Sequence, residues 1–170
     1  MIQLIRPTPE YKTKALEYRQ EHFDYGEKII NGSELLDKTE SYEEWLKAVK
    51  DNENAATVNP DWVLTDTFFA VSDEDEILGI IDLRHTLNDF LKDFGNCGYS
   101  VRPSQRQKGY ATEMLRKILD IARQADMKEL HLSVEKENIP SIKTIVRNGG
   151  VYERSFEFQG QRADIYRIKL

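Results

Sequence analysis

Residues 102–115, Arg102 to Leu115, read RPSQRQKGYATEML, and this stretch decides how the chain is organised. It sets Arg102, Arg106 and Lys108, two glutamines, a serine and one glycine directly against an apolar run. In that run Ala111, Met114, Leu115, Ile118, Leu119, Ala122 and Ala125 recur at helical spacing, the clearest helix in the sequence. Upstream, CGYSVRP (97–103) reads as a strand that stops at its proline. A strand ending at Pro103 and a helix beginning near Gly109 leave a loop whose backbone N–H groups have no intrahelical acceptor. Those donors, with the positive end of the helix dipole, form an anion site. Gly109 lets the backbone approach a ligand with no Cβ in the way. Arg106 and Lys108 add charge, and the Thr112 hydroxyl adds a donor in the first turn. The two phosphates of a diphosphate match that density of donors. A basic turn that is simply solvated accounts for the same residues, and the loop alone does not separate the two.

Outward from the loop, the elements alternate in type. IQLIRP (2–7) is a short strand ended by proline, and residues 9–23 fit a helix only loosely. SYEEWLKAVKDNE (41–53) opens with Ser41 as N-cap and Glu44 three residues on, a capping box, and carries Trp45, Leu46 and Val49 on one face. TDTFFAVS (65–72) and ILGIIDLR (77–84) are strands joined by a hairpin turn at DEDE (73–76). Those adjacent carboxylates point apart, which suits solvent rather than a metal. HTLNDFLKDFGN (85–96) leads into CGYSVRP, the third strand of a meander. ELHLSV (129–134) alternates as a strand, and Asn138 caps a helix carrying Ile142, Ile145 and Val146 that Gly149-Gly150 ends. GVYERSFEF and DIYRIKL form a terminal hairpin around Gln159-Gly160-Gln161. The result is an α+β chain, a mixed sheet with helices on its faces, expected as one domain over residues 1–170.

Composition bounds the function. The 170 residues are 39% hydrophobic and 32% charged, ordinary for a soluble globular protein with a real core. A net charge of −6 argues against a broad nucleic-acid footprint. The lone cysteine, Cys97, permits no intramolecular disulfide and fits a reducing compartment. No stretch has signal-peptide or membrane-spanning length, so a cytoplasmic protein that touches neither membrane nor nucleic acid is expected. There is no GxxxxGK[ST] phosphate loop, no GxGxxG after the first strand and no GxSxG elbow. His22, His85 and His131 lie in different elements, so no metal site is expected by spacing.

Arg106-Gln107-Lys108-Gly109-Tyr110-Ala111 resembles the [Q/R]-x-x-G-x-[G/A] pyrophosphate loop of the GNAT superfamily of acyl-CoA N-acyltransferases. Residues 135–152 are similar to that family's N-x-x-[A/S] helix, which ends in a glycine pair, and the order of elements matches across nearly the whole chain. The resemblance implies a mostly antiparallel central sheet with splayed fourth and fifth strands. It implies acetyl-CoA as co-substrate, lying where CGYSVRP and ELHLSV part, with backbone groups of Tyr99 to Val101 pairing with the pantetheine. The diphosphate would rest on residues Arg106, Gln107, Lys108, Gly109, Tyr110, Ala111 and Thr112, and Asn138 and Ser141 would contact the pantetheine side. The Val101 N–H would stabilise the thioester oxyanion while an amine attacks directly.

The chain departs from the family where protons move. Many members carry a tyrosine seven residues after the asparagine, and here that position is Ile145. Family members with a glutamate base place it early in the fourth strand, near Asn96 or Cys97 here. His85 is a candidate proton relay and Tyr152 a candidate acid, with Tyr166 beside it as another, while Asp82 and Asp93 read as a solvent-facing strand residue and a loop charge. Cys97 has no neighbour that would lower its pKa. The acceptor region, residues 18–60, holds Glu21, Asp24, Glu27, Glu34, Asp37, Glu40, Glu43 and Glu44 with Tyr25, Tyr42 and Trp45. Most of these suit a solvated helical surface, and as a group they tilt the expectation toward a small cationic amine over a protein amine. The expected activity is N-acetyl transfer to a primary amine. Its rivals are a non-catalytic acyl-CoA-binding module and a nucleotide or phosphate binder. The apolar edge at Ser155–Phe158 leaves a homodimer open.

Overall fold

The computed structural model describes residues 1–170. The chain runs β1 (Gln3–Ile5), α1 (Lys12–Asp24), α2 (Tyr42–Asn52), β2 (Thr65–Val71), β3 (Ile77–Arg84), β4 (Tyr99–Val101), α3 (Tyr110–Gln124), β5 (Glu129–Glu135), α4 (Ile139–Arg147), β6 (Val151–Phe158) and β7 (Gln161–Lys169). Short 3₁₀ turns at Pro9–Tyr11 and Pro103–Gln105 precede α1 and the loop before α3. The strands form two antiparallel sheets, ordered β1-β2-β3-β4 and β5-β7-β6. No helix is long and apolar enough to cross a membrane.

Strand alternation divides the core into two layers. Phe68 and Ala70 of β2 join α3 residues Met114, Leu115, Ile118 and Leu119 on one face. Phe69 and Val71, with Ile80 of β3, pack on the other face against Ala15 and Tyr18 of α1 and Trp45 of α2. Gly79 is required on the α3 side, because a Cβ there would stand 2.7 Å from the Met114 side chain. Across the sheet, Trp45 stacks on Phe69 at 5.9 Å and donates from Nε1 to the Ser33 carbonyl at 2.9 Å. The Ser41 cap forms as expected, its hydroxyl accepting from the Glu44 N–H at 3.2 Å. The reciprocal half of the box does not form, since the Ser41 N–H donates to Thr39 Oγ1 instead.

The two sheets touch at a fork between β4 and β5. The Asn96 N–H donates to the His131 carbonyl at 2.6 Å, and Asn96 Oδ1 accepts from the His131 N–H at 2.8 Å. Asn96 Nδ2 donates to the Arg84 carbonyl at 3.0 Å, so one buried side chain pegs β3 to β5. Beyond the single bridge Gly95–Leu132, β4 and β5 exchange no hydrogen bond and part. Asp82 corrects one expectation. It is fully buried on the α1 side of β3, where Oδ1 accepts from the Gly98 N–H at 2.7 Å.

Candidate active site

The parted strands open onto a cleft of about 1190 Å³ that reaches from the head of α3 to the terminal hairpin. At its α3 end the backbone N–H groups of Gln107, Lys108, Gly109, Tyr110, Ala111 and Thr112 find no acceptor within the protein. Local conformation concentrates them. Gln107 (φ 65°) and Gly109 (φ 83°) are both left-handed, and the alternation folds successive N–H groups toward one concavity at the positive end of a long helix. A Cβ on Gly109 would meet nothing within 4 Å, so the approach to these donors is open. This donor set fits a diphosphate. The Asn148 amide holds the arrangement in register, donating to the carbonyls of Thr112 in α3 and Thr144 in α4 at 3.3 and 2.9 Å.

β4 supplies the next stretch of wall. The Asp82 N–H donates to the Gly98 carbonyl and the Arg102 N–H to the Leu78 carbonyl, so even-numbered residues face β3. By antiparallel alternation the N–H groups of Tyr99 and Val101 face the gap. The Tyr99 side chain crosses to α4, its hydroxyl 2.7 Å from Ser141 Oγ, and burial raises its pKa. Asn138 caps α4 by accepting from the Ser141 N–H at 3.3 Å. Tyr99, Val101, Asn138 and Ser141 thus line the same cleft as the α3 donors. Ile145, in the position where a tyrosine would supply a proton, is buried, and the Gly150 N–H caps its carbonyl at 2.9 Å.

Arg106 is placed differently from its neighbours in the loop. Its guanidinium makes two 2.8 Å hydrogen bonds to Glu27 and one of 3.1 Å to the Val101 carbonyl. Arg106 pulls the Glu27 carboxyl down to about 2. His22 Nδ1 sits 2.8 Å from the same carboxylate, and burial lowers the histidine's pKa. Lys108 turns away from the cleft, donating to Gln105 at 2.9 Å. The Arg106 N–H is itself bonded to the Pro103 carbonyl, whereas the Lys108 N–H belongs to the run without an acceptor.

At the opposite end the segment after α1 crosses β4 at close range. A Cβ on Gly32 would lie 2.3 Å from the Gly98 carbonyl oxygen, so glycine is required there. Beneath the crossing, Arg84 Nη2 stands 3.3 Å from Asp82 Oδ2 and 3.8 Å from Glu34 Oε1. Burial, with Asp82 beside it, pushes the Glu34 carboxyl well above the usual range. Burial likewise pushes the Cys97 thiol up, which keeps it protonated and inert. Phe94, Phe156 and Phe158 complete this end of the lining.

The structure does not bring the two sequence-derived proton candidates to the cleft. His85 bonds Asp66 at 2.6 Å, outside the lining, and Tyr152 bonds Ser155 at 2.7 Å on an exposed part of β6. Several acceptor-region carboxylates are engaged elsewhere: Glu21 with Ser104 and Arg102, Asp37 with the Ile30 N–H, Glu43 with Lys12. The aromatic wall was invisible in sequence, because its rings come from segments more than sixty residues apart.

A fork of parted strands beside a donor-rich helix head defines the chain as an acyltransferase-type α+β protein, and comparison with known proteins agrees. The model of the acetyltransferase (GNAT) domain matches residues 5–151, and the chain belongs to that family. Among solved structures, RimL, a ribosomal L7/L12 α-N-protein acetyltransferase in complex with coenzyme A, superposes with TM-score 0.74 at 14% identity over 99% of this chain and 94% of its own. YncA from Salmonella typhimurium, solved with its cofactor acetyl-CoA, gives 0.70 at 14% over 99% and 94%. The microcin C7 self-immunity acetyltransferase MccE, in complex with acetyl-CoA and AMP, gives 0.71 at 16% over 99% and 92%. At these identities the likeness is one of fold. A search of the curated proteins finds no match.

Proposed function

We propose that this protein is an N-acetyltransferase that transfers the acetyl group of acetyl-CoA to the primary amine of a small molecule. The observation that carries the proposal is the run of six unpartnered N–H groups from Gln107 to Thr112, set beside strands that part. These donors would hold the diphosphate, with the Gly109 backbone exposed to it and the Arg106 guanidinium bracing the loop from behind. The outward N–H groups of Tyr99 and Val101 would pair with the pantetheine as an added strand does, and Asn138 and Ser141 stand on the opposite wall.

In the reaction the neutral amine nitrogen attacks the thioester carbonyl carbon. A C–N bond forms, the C–S bond breaks, and the sulfur leaves as thiolate. The Val101 N–H is placed to meet the negative charge that develops on the carbonyl oxygen. The ammonium proton passes to water, since His85 and Tyr152 stand outside the cleft. Much of the rate then comes from holding amine and thioester together. A small acceptor suits the site better than a protein, because the segment after α1 and strand β6 wall the acceptor end on both sides.

A binding-only protein is the second reading, favoured by the apolar Ile145 in the proton donor's place. Thiol release from acetyl-CoA with a panel of primary amines tests the proposal. Turnover with any amine supports transfer. Calorimetric binding of acetyl-CoA with no turnover on the whole panel supports the second reading.

A further inference from the structure

The acceptor end of the cleft is walled by phenyl rings. Phe94, from the connection between β3 and β4, meets Phe156 and Phe158 of β6 edge-on, with centroids 6.4 and 5.1 Å apart and interplanar angles of 86° and 89°. All three line the cleft. Phe90 continues the row 5.4 Å from Phe94, and Trp62 follows 6.4 Å beyond it. Phe158 is 48% exposed and Phe90 67% exposed, so the row keeps apolar surface open.

Few carboxylates line the cleft. Arg84 faces Asp82, Glu27 is engaged by Arg106 at the α3 end, and Glu135 is the one lining carboxylate with no ion-pair partner. Three acidic groups of the region that could draw a polycation are engaged in local contacts elsewhere: Glu21, Asp37 and Glu43. A long polyamine would therefore find a single unpaired lining carboxylate, Glu135, whereas an aromatic group would find three rings whose edge-to-face set accepts a further ring.

We propose, resting on the acetyl-transfer reading above, that the acceptor is a small primary amine bearing an aryl or similarly bulky apolar group on a short chain. The group packs against Phe94, Phe156 and Phe158 while the nitrogen lies toward Gly98, just before β4. Apolar contacts of this size separate substrates by about ten- to a hundredfold in kcat/KM.

The test is thiol release with the full chain and acetyl-CoA, comparing phenethylamine, propylamine and spermidine. Phenethylamine is expected to exceed both others by about tenfold or more in kcat/KM. Phe158→Ala, at an exposed position, should cut the phenethylamine-to-propylamine ratio about fivefold, mainly through KM, and Phe156→Leu should lower it in the same sense. Acetyl-CoA titration of each variant shows that the fold is kept. Propylamine or spermidine matching phenethylamine overturns the inference and leaves acetyl transfer standing, as does an unchanged ratio in both variants. Absence of thiol release with every amine tried, while acetyl-CoA still binds, overturns the inference together with the transfer it rests on.

Discussion

Arg106 and Glu27 face each other through two hydrogen bonds of 2.8 Å, which tie the loop before α3 to the segment that follows α1. Glu27 also holds His22, so one carboxylate ties the end of α1 to the loop before α3. The geometry is the bidentate fork that makes arginine–carboxylate pairs strong.

Removing that charge should show at neutral pH and fade in acid. Arg106 holds Glu27 at about 2, below its ordinary 4.5, so the pair stabilises the fold above about pH 4.5 and loses that contribution as pH falls toward 2. Glu27→Gln should therefore cost about 1–2 kcal/mol at neutral pH, a figure reduced because the pair is partly solvated. Urea titrations of both proteins should converge toward pH 2. A constant gap between them would contradict the assignment.

Glu34 carries the opposite sign. Its folded pKa is raised by burial, so its contribution is complete below about pH 4.5 and is lost as pH rises. Glutamine cannot ionise, and Glu34→Gln should gain stability over the wild type between about pH 5 and 8, reaching about 1–2 kcal/mol. Melting temperatures across that range report the divergence.

The fork depends on Asn96. Asn96→Ala leaves the His131 N–H and the Arg84 carbonyl without that side chain at a buried junction. The expected loss is about 2–3 kcal/mol. Hydrogen exchange should rise first at His131, where the strands separate.

At Gly109 bulk rather than strain should decide. Any side chain there bears the left-handed φ of 83°, a penalty of about 1 kcal/mol, and meets no atom of the protein. Gly109→Ala should keep affinity for coenzyme A within about threefold, while Gly109→Trp should weaken it by about 1.4 kcal/mol, a factor of about ten, or more. Calorimetry separates the two variants.

Periodicity and punctuation made most of the fold legible. The α3 stripe, the proline ending β4, the Asn138 cap and the glycine pair are local signals, and each fell where expected. The donor run before α3 was legible for the same reason, since a strand end and a helix start fix it within a few residues. What stayed hidden depends on distant pairing. Arg106 looked like a ligand for phosphate because Glu27, 79 residues away, is not adjacent in sequence. Asp82 looked solvent-facing because nothing local announces that a glycine-lined crossing at Gly32 and Gly98 covers that face of β3. His85 is a candidate by its proximity in sequence to the cleft strands and Tyr152 as a tyrosine of the terminal hairpin, but their side chains go to Asp66 and Ser155, partners that no local pattern announces.

The most direct measurement is a titration of isotopically labelled protein with coenzyme A, following each backbone amide by NMR. The account predicts that the amides of Gln107 through Thr112 shift furthest, with Gly109 among them, as their N–H groups acquire charged acceptors. Binding that leaves those six resonances in place while others move would contradict it.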